Sequence, residues 1–359
     1  MNARFSKCLV SVVLIAALAL AIVPFAGAQE GPPVKVEFTP YEGNPILVHG
    51  STDEWDTQSI HQPSVVFRDG LYHMFYCGDL DGWLGAAIGY ATSTDGLVWE
   101  KVGTTPVFEA DGTGFDSAAV VTSFVMVDGD TWVLYYLGQS SYASMRGSGI
   151  GRATAPQPTG PWTRAEEPVL GPGGEGEWDE PAIDMGSVIL TDEGYVMYYT
   201  GGDLLSLTDL AIGMATSPDG ITWTKYDDPA TTEPPYAESD PVLQPGLEGW
   251  DMTCLLAGGV RQAADEWEMV YSGKGKDENG ASTAFQLGYA TSDDGIHWTK
   301  YKGNPILTPE DDRAEPAYFY TNLGFSHLFV QDATYFLYYD YLWSTGGGIG
   351  LATGTITRE

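Results

Sequence analysis

A phrase that returns along the chain constrains the fold more than any other feature of the sequence. IGYATSTDGLVWEK begins at Ile88, and related phrases begin at Ile150, Ile212 and Leu287, with a shortened copy at Ile349. The intervals between these starting points are 62, 62, 75 and 62 residues. Repeats of this length indicate an architecture in which each repeat is one supersecondary unit that packs on its neighbours.

Each unit is predicted to contain four short strands. An apolar run such as PSVVF leads through an Asp-Gly turn to an aromatic strand, then to the IGxATS strand, a second turn and a strand that carries tryptophan. Period-two runs bounded by Asp-Gly are typical of hairpins. Five four-stranded units predict an all-β fold, a five-bladed β-propeller. We assign the blades to approximately residues 53–106, 114–168, 177–241, 249–305 and 313–357 of a single domain, 29–359.

The two ends of the domain predict how the ring closes. The fifth unit lacks its tryptophan strand, whereas the segment VKVEFTPYEGNPIL, which begins at Val34, resembles WTKYKGNPIL of the fourth unit. We expect residues 34–40 to supply the outer strand of the last blade. Closure of this kind removes two exposed sheet edges.

Composition and the first 28 residues limit the location and the partners. Arg4 and Lys7 precede an apolar stretch, residues 9–23, and Ala26-Gly27-Ala28 offers a small-residue cleavage site. This pattern predicts a signal peptide over residues 1–28 and a secreted or periplasmic mature protein. Acidic residues outnumber basic ones 49 to 16, for a net charge of −33. Such a charge excludes nucleic acid and anionic membranes as partners. The predicted export signal is the one segment expected to contact a membrane.

The phrases QPSVVFRDGLYHMFYCG and IGYATSTDGLVWEKVG resemble those of the five-bladed glycoside hydrolases of families 43 and 32, the arabinanase, levansucrase and invertase type. The resemblance implies a carbohydrate substrate or ligand at the mouth of the central channel. In that family the first inner strand carries Asp-Pro, with the aspartate as base or nucleophile, whereas this sequence has Gln62-Pro63. Met185 and Ala257 occupy the corresponding positions of blades three and four. Asp184 is one residue out of register, which a β-bulge could repair.

Carboxylates that break the repeat are the catalytic candidates. Glu180 and Asp184 lie near the start of the third inner strand, four residues apart, and are predicted to act as acid and base. Glu315 precedes the fifth inner strand in a similar Glu-Pro-Ala context and is assigned to substrate binding. The alternative is that these groups accept backbone hydrogen bonds or bind a cation. Four aspartates that follow an aromatic residue recur in successive blades and are interpreted as structural: Asp56, Asp116, Asp179 and Asp251.

Histidines and tryptophans complete the predicted site. His61 and His327, on inner strands, join Gln62 as substrate-binding candidates, although a buried core histidine is the alternative for both. Trp83 and Trp343 fall outside the repeated positions, on loops of blades that adjoin in the ring. They either form one side of a glycan cleft or cap local apolar patches.

No cofactor is required by these residues, and calcium in the channel is the single exception that the resemblance allows. Two functional classes remain open. One is a secreted glycoside hydrolase that acts on a plant or microbial polysaccharide or oligosaccharide. The other is a non-catalytic propeller that binds glycans or a partner at the cell surface, which the glutamine at position 62 favours.

Overall fold

The computed structural model describes residues 34–80, 85–141, 148–264, 266–312, 322–341 and 347–358. These residues form five antiparallel sheets, one for each repeat, which confirms the predicted all-β five-bladed propeller. The predicted signal peptide, residues 1–28, lies outside the described ranges. Within those ranges, no helix has the length and apolar character needed to span a membrane.

The strands follow the chain in order. Before the first blade come β1 (Val34–Pro40) and β2 (Leu47–Val48). Blade one contains β3 (Ser59–Arg68), β4 (Leu71–Asp79), β5 (Ala87–Ser93) and β6 (Glu100–Lys101). Blade two contains β7 (Ala119–Asp128), β8 (Thr131–Gln139), β9 (Gly149–Ala155) and β10 (Thr163–Arg164), and a single 3₁₀ turn, Gly114–Asp116, precedes it.

The remaining blades repeat this plan. Blade three contains β11 (Ala182–Thr191), β12 (Gly194–Asp203), β13 (Thr208–Ser217) and β14 (Thr224–Lys225), and β15 (Pro241–Leu243) pairs with β13. Blade four contains β16 (Cys254–Gln262), β17 (Trp267–Lys274), β18 (Gln286–Ser292) and β19 (Thr299–Lys300). Blade five contains β20 (Leu323–Gln331), β21 (Thr334–Tyr341) and β22 (Gly348–Arg358).

Strand β1 completes the fifth blade, as the sequence predicts. It pairs antiparallel with β22, so that Val34 lies opposite Arg358 and Pro40 lies opposite Ala352. The side chains of β1 alternate between half-buried and exposed, and the half-buried Val36 and Phe38 pack into the core of blade five. The ring is therefore closed by a sheet whose strands come from both ends of the domain.

The hydrophobic core lies between the blades. One cluster joins Phe75 and Tyr90 of blade one to Trp132 and Leu134 of blade two, and similar clusters occupy the other junctions. Aromatic side chains dominate because two facing sheets leave a gap that large flat rings can fill. Cys77 and Cys254 are buried free thiols, as expected.

A buried aspartate anchors each blade. Asp179, for example, accepts hydrogen bonds from the Tyr199 hydroxyl at 3.2 Å and from Lys225 Nζ at 2.5 Å. These contacts confirm the structural interpretation of the repeated aspartates. In blade five the role passes to Asp312, which accepts hydrogen bonds from Tyr339 and Asn44. The other three aspartates bind a tyrosine and a basic residue in the same way: Asp56 with Tyr76 and Lys101, Asp116 with Tyr136 and Arg164, and Asp251 with Tyr271 and Lys300.

The disc has two different faces. On one, called the turn face, short turns connect the first strand of each blade to the second and the third strand to the fourth. On the other, called the mouth face, the inner strands β3, β7, β11, β16 and β20 begin. A long connection that the structure describes, residues 275–285 between β17 and β18, leaves from this face. Long connections favour ligand binding because they can vary without disturbing the sheets.

Candidate functional site at the channel mouth

A small pocket lies on the propeller axis just below the mouth face. Each inner strand contains a β-bulge at the same height, and the residues around the bulges enclose an axial cavity of only ≈ 10 Å³. That volume is about the smallest that holds one water molecule. The register shifts are between His61 and Ser64, Val121 and Ser123, Met185 and Ser187, Ala257 and Val260, and Leu323 and Ser326.

Gln62 forms the bulge of blade one in an uncommon conformation. Its φ is 58°, a left-handed value that costs a residue with a side chain about 1–3 kcal/mol. The backbone N–H of Gln62 donates a hydrogen bond of 2.8 Å to Oδ2 of Asp340, which lies on β21 of the adjoining blade five. Both residues are buried. A buried hydrogen bond across the blade junction thus holds the strained bulge in place.

At the position of Asp340 in two other blades, a polar side chain makes a hydrogen bond to the next blade. In blade three, Thr200 Oγ1 accepts a hydrogen bond from the N–H of Ala257 in blade four at 2.8 Å. In blade four, Ser272 Oγ donates to the carbonyl of Gly324 in blade five at 2.8 Å. At this position blade five has a carboxylate, and blades three and four have hydroxyls. Blades one and two have Cys77 and Leu137 there.

His61 and two aspartates form a buried charged cluster beside Gln62. Nε2 of His61 lies 3.3 Å from Oδ2 of Asp79, which also accepts a 2.6 Å hydrogen bond from the Ser59 hydroxyl. Burial alone would lower the pKa of His61, but Cys77, Asp79 and Asp340 raise it well above its ordinary value. Burial raises the pKa of Asp340 to about 7, although His61 and the N–H of Gln62 act in the opposite direction.

This cluster contains two buried side chains with displaced pKa values near the mouth face. Groups with displaced pKa values in a cleft are functional candidates, because catalysis needs proton donors and acceptors poised near the working pH. The pKa of Asp340 falls in that range, and the pKa of His61 is displaced upward. Asp340 is fully buried, so its direct effect is on the bulge it holds rather than on a ligand.

The structure places the predicted catalytic pair at the mouth edge of blade three. Glu180 precedes β11, is half-buried, and accepts a 2.9 Å hydrogen bond from the N–H of Gly176 through Oε2. Asp184 lies within β11, is buried, and accepts a 2.8 Å hydrogen bond from the N–H of Met185. Asp184 lies opposite Thr200 in the ladder, as His61 lies opposite Cys77 in blade one. The two residues are therefore at equivalent positions. The bulge follows Asp184, at Gly186, so Asp184 keeps the register of His61 rather than that of Gln62.

His327 lies lower, at the axis. Its ring is 5.8 Å from that of Phe124, and both residues line the small axial cavity with Gln62. Burial lowers the pKa of His327 to about 4, so the imidazole is neutral at physiological pH. These features favour the core-histidine interpretation. Across the described part of the chain, no cluster of three or more His, Cys, Asp or Glu side chains could hold a metal ion.

Comparisons with known proteins address the fold. No family model matches the sequence. An uncharacterized protein of Mycobacterium tuberculosis, matched in two strains, is 26% identical over 229 residues, which cover 61% of this chain and 69% of that protein. A glycosyl hydrolase from Bacteroides ovatus superposes with a TM-score of 0.68 at 18% identity, covering 89% of this chain and 93% of the other. The chain has the five-bladed glycoside hydrolase fold.

Two further solved structures widen the range of this fold. One is described as a member of the GH130 family of mannoside phosphorylases, which contains hydrolases that target β-1,2 mannosidic linkages in Candida mannan; it has a TM-score of 0.69, 18% identity and coverage of 89% and 93%. A thermostable family-43 glycoside hydrolase has a TM-score of 0.57, 16% identity and coverage of 85% and 91%. The superfamily resemblance inferred from the repeats is confirmed at the level of the glycoside hydrolase propeller fold.

In this propeller, Gln62 occupies the place of the Asp-Pro aspartate of the glycoside hydrolases that the repeats resemble. An amide neither accepts a proton nor attacks an anomeric carbon. Any hydrolysis must therefore use other carboxylates. Three further candidates, Trp83, Glu315 and Trp343, lie outside the described residues.

Sequence reasoning missed Asp340 and the role of Asp79. A signal for Asp340 was present, because the position after the last tyrosine of the aromatic strand holds Cys, Leu, Thr or Ser in the other four blades. No motif of the sequence marks Asp79, which follows the aromatic strand of blade one, as a partner of His61. Its contact with His61 depends on the pairing of β3 with β4.

Proposed function

We propose that this propeller hydrolyses a glycan bound at the mouth face, with Glu180 and Asp184 as the acid and base. The observation that carries the proposal is the position of these carboxylates, one half-buried and one buried, at the start of the third inner strand. The fold likeness to glycoside hydrolases supports a carbohydrate as the ligand. The substrate class is a plant or microbial polysaccharide or oligosaccharide, reached after export directed by residues 1–28.

The chemistry needs two carboxyl groups on opposite sides of the scissile bond. One protonates the leaving oxygen, while the other activates water or attacks the anomeric carbon directly. Glu180, which is half-buried, contacts solvent, whereas Asp184 lies deeper beside the bulge of blade three.

The test is the pair of isosteric variants E180Q and D184N, assayed on a panel of furanoside, pyranoside and fructan substrates. Each change should lower kcat by about 100-fold or more, the usual cost of removing a general acid or base, with an unchanged melting temperature. E175Q is the matched control, because Glu175 is exposed in the segment that precedes the same strand. Full activity in both variants on a substrate that the wild type cleaves would refute the assignment.

A second candidate function, glycan binding without catalysis, is favoured by Gln62. The family's catalytic position is filled by an amide whose backbone is tied to Asp340, so the inner strand of blade one offers no nucleophile there. In that case the wild type binds an oligosaccharide of the panel in calorimetry but releases no product from it. Turnover of any panel substrate that is lost in E180Q or D184N decides for the enzyme.

A further inference from the structure

One blade junction differs from the other four on the turn face. At every junction, one sheet presents a residue from its second strand and one from its third strand toward the next blade. At four junctions this pair includes an aromatic or charged side chain that packs against its neighbours. The pairs are His73 and Tyr90, Val133 and Arg152, Glu268 and Tyr289, and Phe336 and Leu351.

The junction between blades three and four holds smaller groups. Val196 and Met214 occupy the two positions, and neither is aromatic or charged. A cavity of ≈ 680 Å³ opens there on the turn face, lined by β11 to β13 of blade three and by Gln262, Trp267 and Ile296 of blade four. Small-molecule sites have volumes of about 300–1,000 Å³. The cavity is therefore large enough for a short oligosaccharide.

The floor and the rim of this cavity have different chemistry. The floor is apolar: the half-buried Val196 and Ile296 pack against the buried rings of Trp267 and Tyr198, whose centroids are 6.2 Å apart. The Tyr198 hydroxyl already donates to the carbonyl of Gly295. The floor thus offers aliphatic surface over buried aromatic rings rather than a free hydroxyl. The rim carries exposed hydrogen-bonding groups: Asp192, Glu193, Thr216, Thr224 and Gln262.

This combination selects among ligand classes. None of the sixteen lining residues is Lys, Arg or His, so an anionic ligand would find carboxylates and no counter-charge. A wholly apolar ligand would leave the polar rim desolvated. Asp294, a third carboxylate of the lining, already accepts the N–H groups of Ile296 and His297 and contacts the His297 ring, which reduces its attraction for a cation. A neutral ligand with hydroxyl donors around an apolar ring face matches both parts.

We propose that the cavity between blades three and four is a second glycan site, which binds a short neutral oligosaccharide on the face opposite the mouth. The class of ligand rests on the proposed function; the existence and position of the site do not. Sugar rings pack their C–H faces on this apolar floor, and their hydroxyls donate to Asp192 and Glu193. A site on each face would hold one polysaccharide chain at two points or retain product segments near the enzyme, by effective concentration.

The test fills the cavity with a side chain that the repeat already tolerates. V196F introduces the residue that blade five has at the same position, Phe336. The probes are xylohexaose, arabinohexaose and cellohexaose, titrated into protein labelled with 5-fluorotryptophan. The ¹⁹F resonance of Trp267 is assigned with W267Y, because blades one, three and five carry tyrosine there. At least one probe should shift this resonance in saturable fashion, and V196F should weaken that binding by about tenfold or more, equivalent to about 1.4 kcal/mol.

The control and the contrary outcomes separate this site from the mouth. D332N, which changes an exposed turn-face carboxylate of blade five, should leave the titration unchanged. Failure of all three hexaoses to shift Trp267, an equal affinity in V196F, or a shift produced by choline but by no sugar would each overturn the proposal. A shift that is lost in V196F, in a protein without turnover, supports the second site while the proposed catalysis fails. Turnover of a panel substrate without any shift of the Trp267 resonance supports the proposed catalysis and overturns the second site.

Discussion

At the scale of single residues, the position after the last tyrosine of each aromatic strand shows how a repeat acquires local chemistry. Thr200 and Ser272 tie the next blade through neutral hydroxyls, which avoids burying a charge. Asp340 binds Gln62 in blade one but carries the desolvation cost of a buried carboxylate. His61 offsets part of that cost, since its positive form lies near the carboxylate. The junction of blades five and one is thereby made sensitive to protonation.

The pKa of Asp340, raised to about 7, predicts a pH-dependent stability. A carboxyl whose folded-state pKa exceeds its unfolded value of about 3.9 stabilises the fold fully below that value, and this contribution is lost as the pH rises through about 7. The isosteric variant D340N keeps an acceptor for the N–H of Gln62 but does not titrate. From about pH 4.5 to about pH 8, the melting temperature of the wild type should fall relative to that of D340N, by roughly 2 °C or more.

Glu175, an exposed carboxylate, provides the reference for this measurement. E175Q should follow the wild type across the whole pH range. A constant difference between the wild type and D340N would show that Asp340 does not change its protonation on unfolding.

At the scale of the strand, β1 closes the ring with side chains that alternate between the core and solvent. Val36 and Phe38 face the core of blade five, whereas Lys35 and Glu37 face solvent and form an exposed ion pair. We predict that V36S/F38S destabilises the protein by about 3 kcal/mol or more, because two core side chains are lost. K35S/E37S should change the free energy of unfolding by no more than about 1 kcal/mol. Denaturant unfolding measures both, and equal effects would mean that β1 contributes only its backbone.

Elements that repeat were predictable from the sequence, and departures from the repeat were less so. The blades and the role of residues 34–40 follow from phrases that recur at nearly constant spacing. The structural role of Asp312 was not predicted, because Asp311 precedes it where the other blades have an aromatic residue. The bulges and the contact between Gln62 and Asp340, 278 residues apart, depend on how neighbouring blades meet, and no local pattern encodes that. The catalytic roles of Glu180 and Asp184 stay predictions.

At the scale of the whole molecule, the net charge of −33 governs stability in solution. Like charges over the surface repel and oppose compaction, whereas pairs such as Asp179 with Lys225 are buried and little screened. Raising NaCl from about 0.01 M to about 0.5 M shortens the screening length several-fold. The melting temperature should therefore rise. Sucrose of equal osmolality is the control for general solute effects, and a fall in melting temperature with salt would show that attractive surface pairs dominate.

The pairing of β1 with β22 also sets the order in which the protein can mature. Val34 and Arg358 are 324 positions apart (358 − 34), yet they face each other in one ladder. Contacts of such long range slow folding, because the intervening chain must be ordered before they form. During synthesis from the N-terminus, blades one to four can form while β1 has no partner strand. The fifth blade is complete only after β22 has been synthesised. Until then β1 is an unmatched strand that a second, unfinished copy can capture, so crowding of nascent chains favours exchanged rings over closed ones.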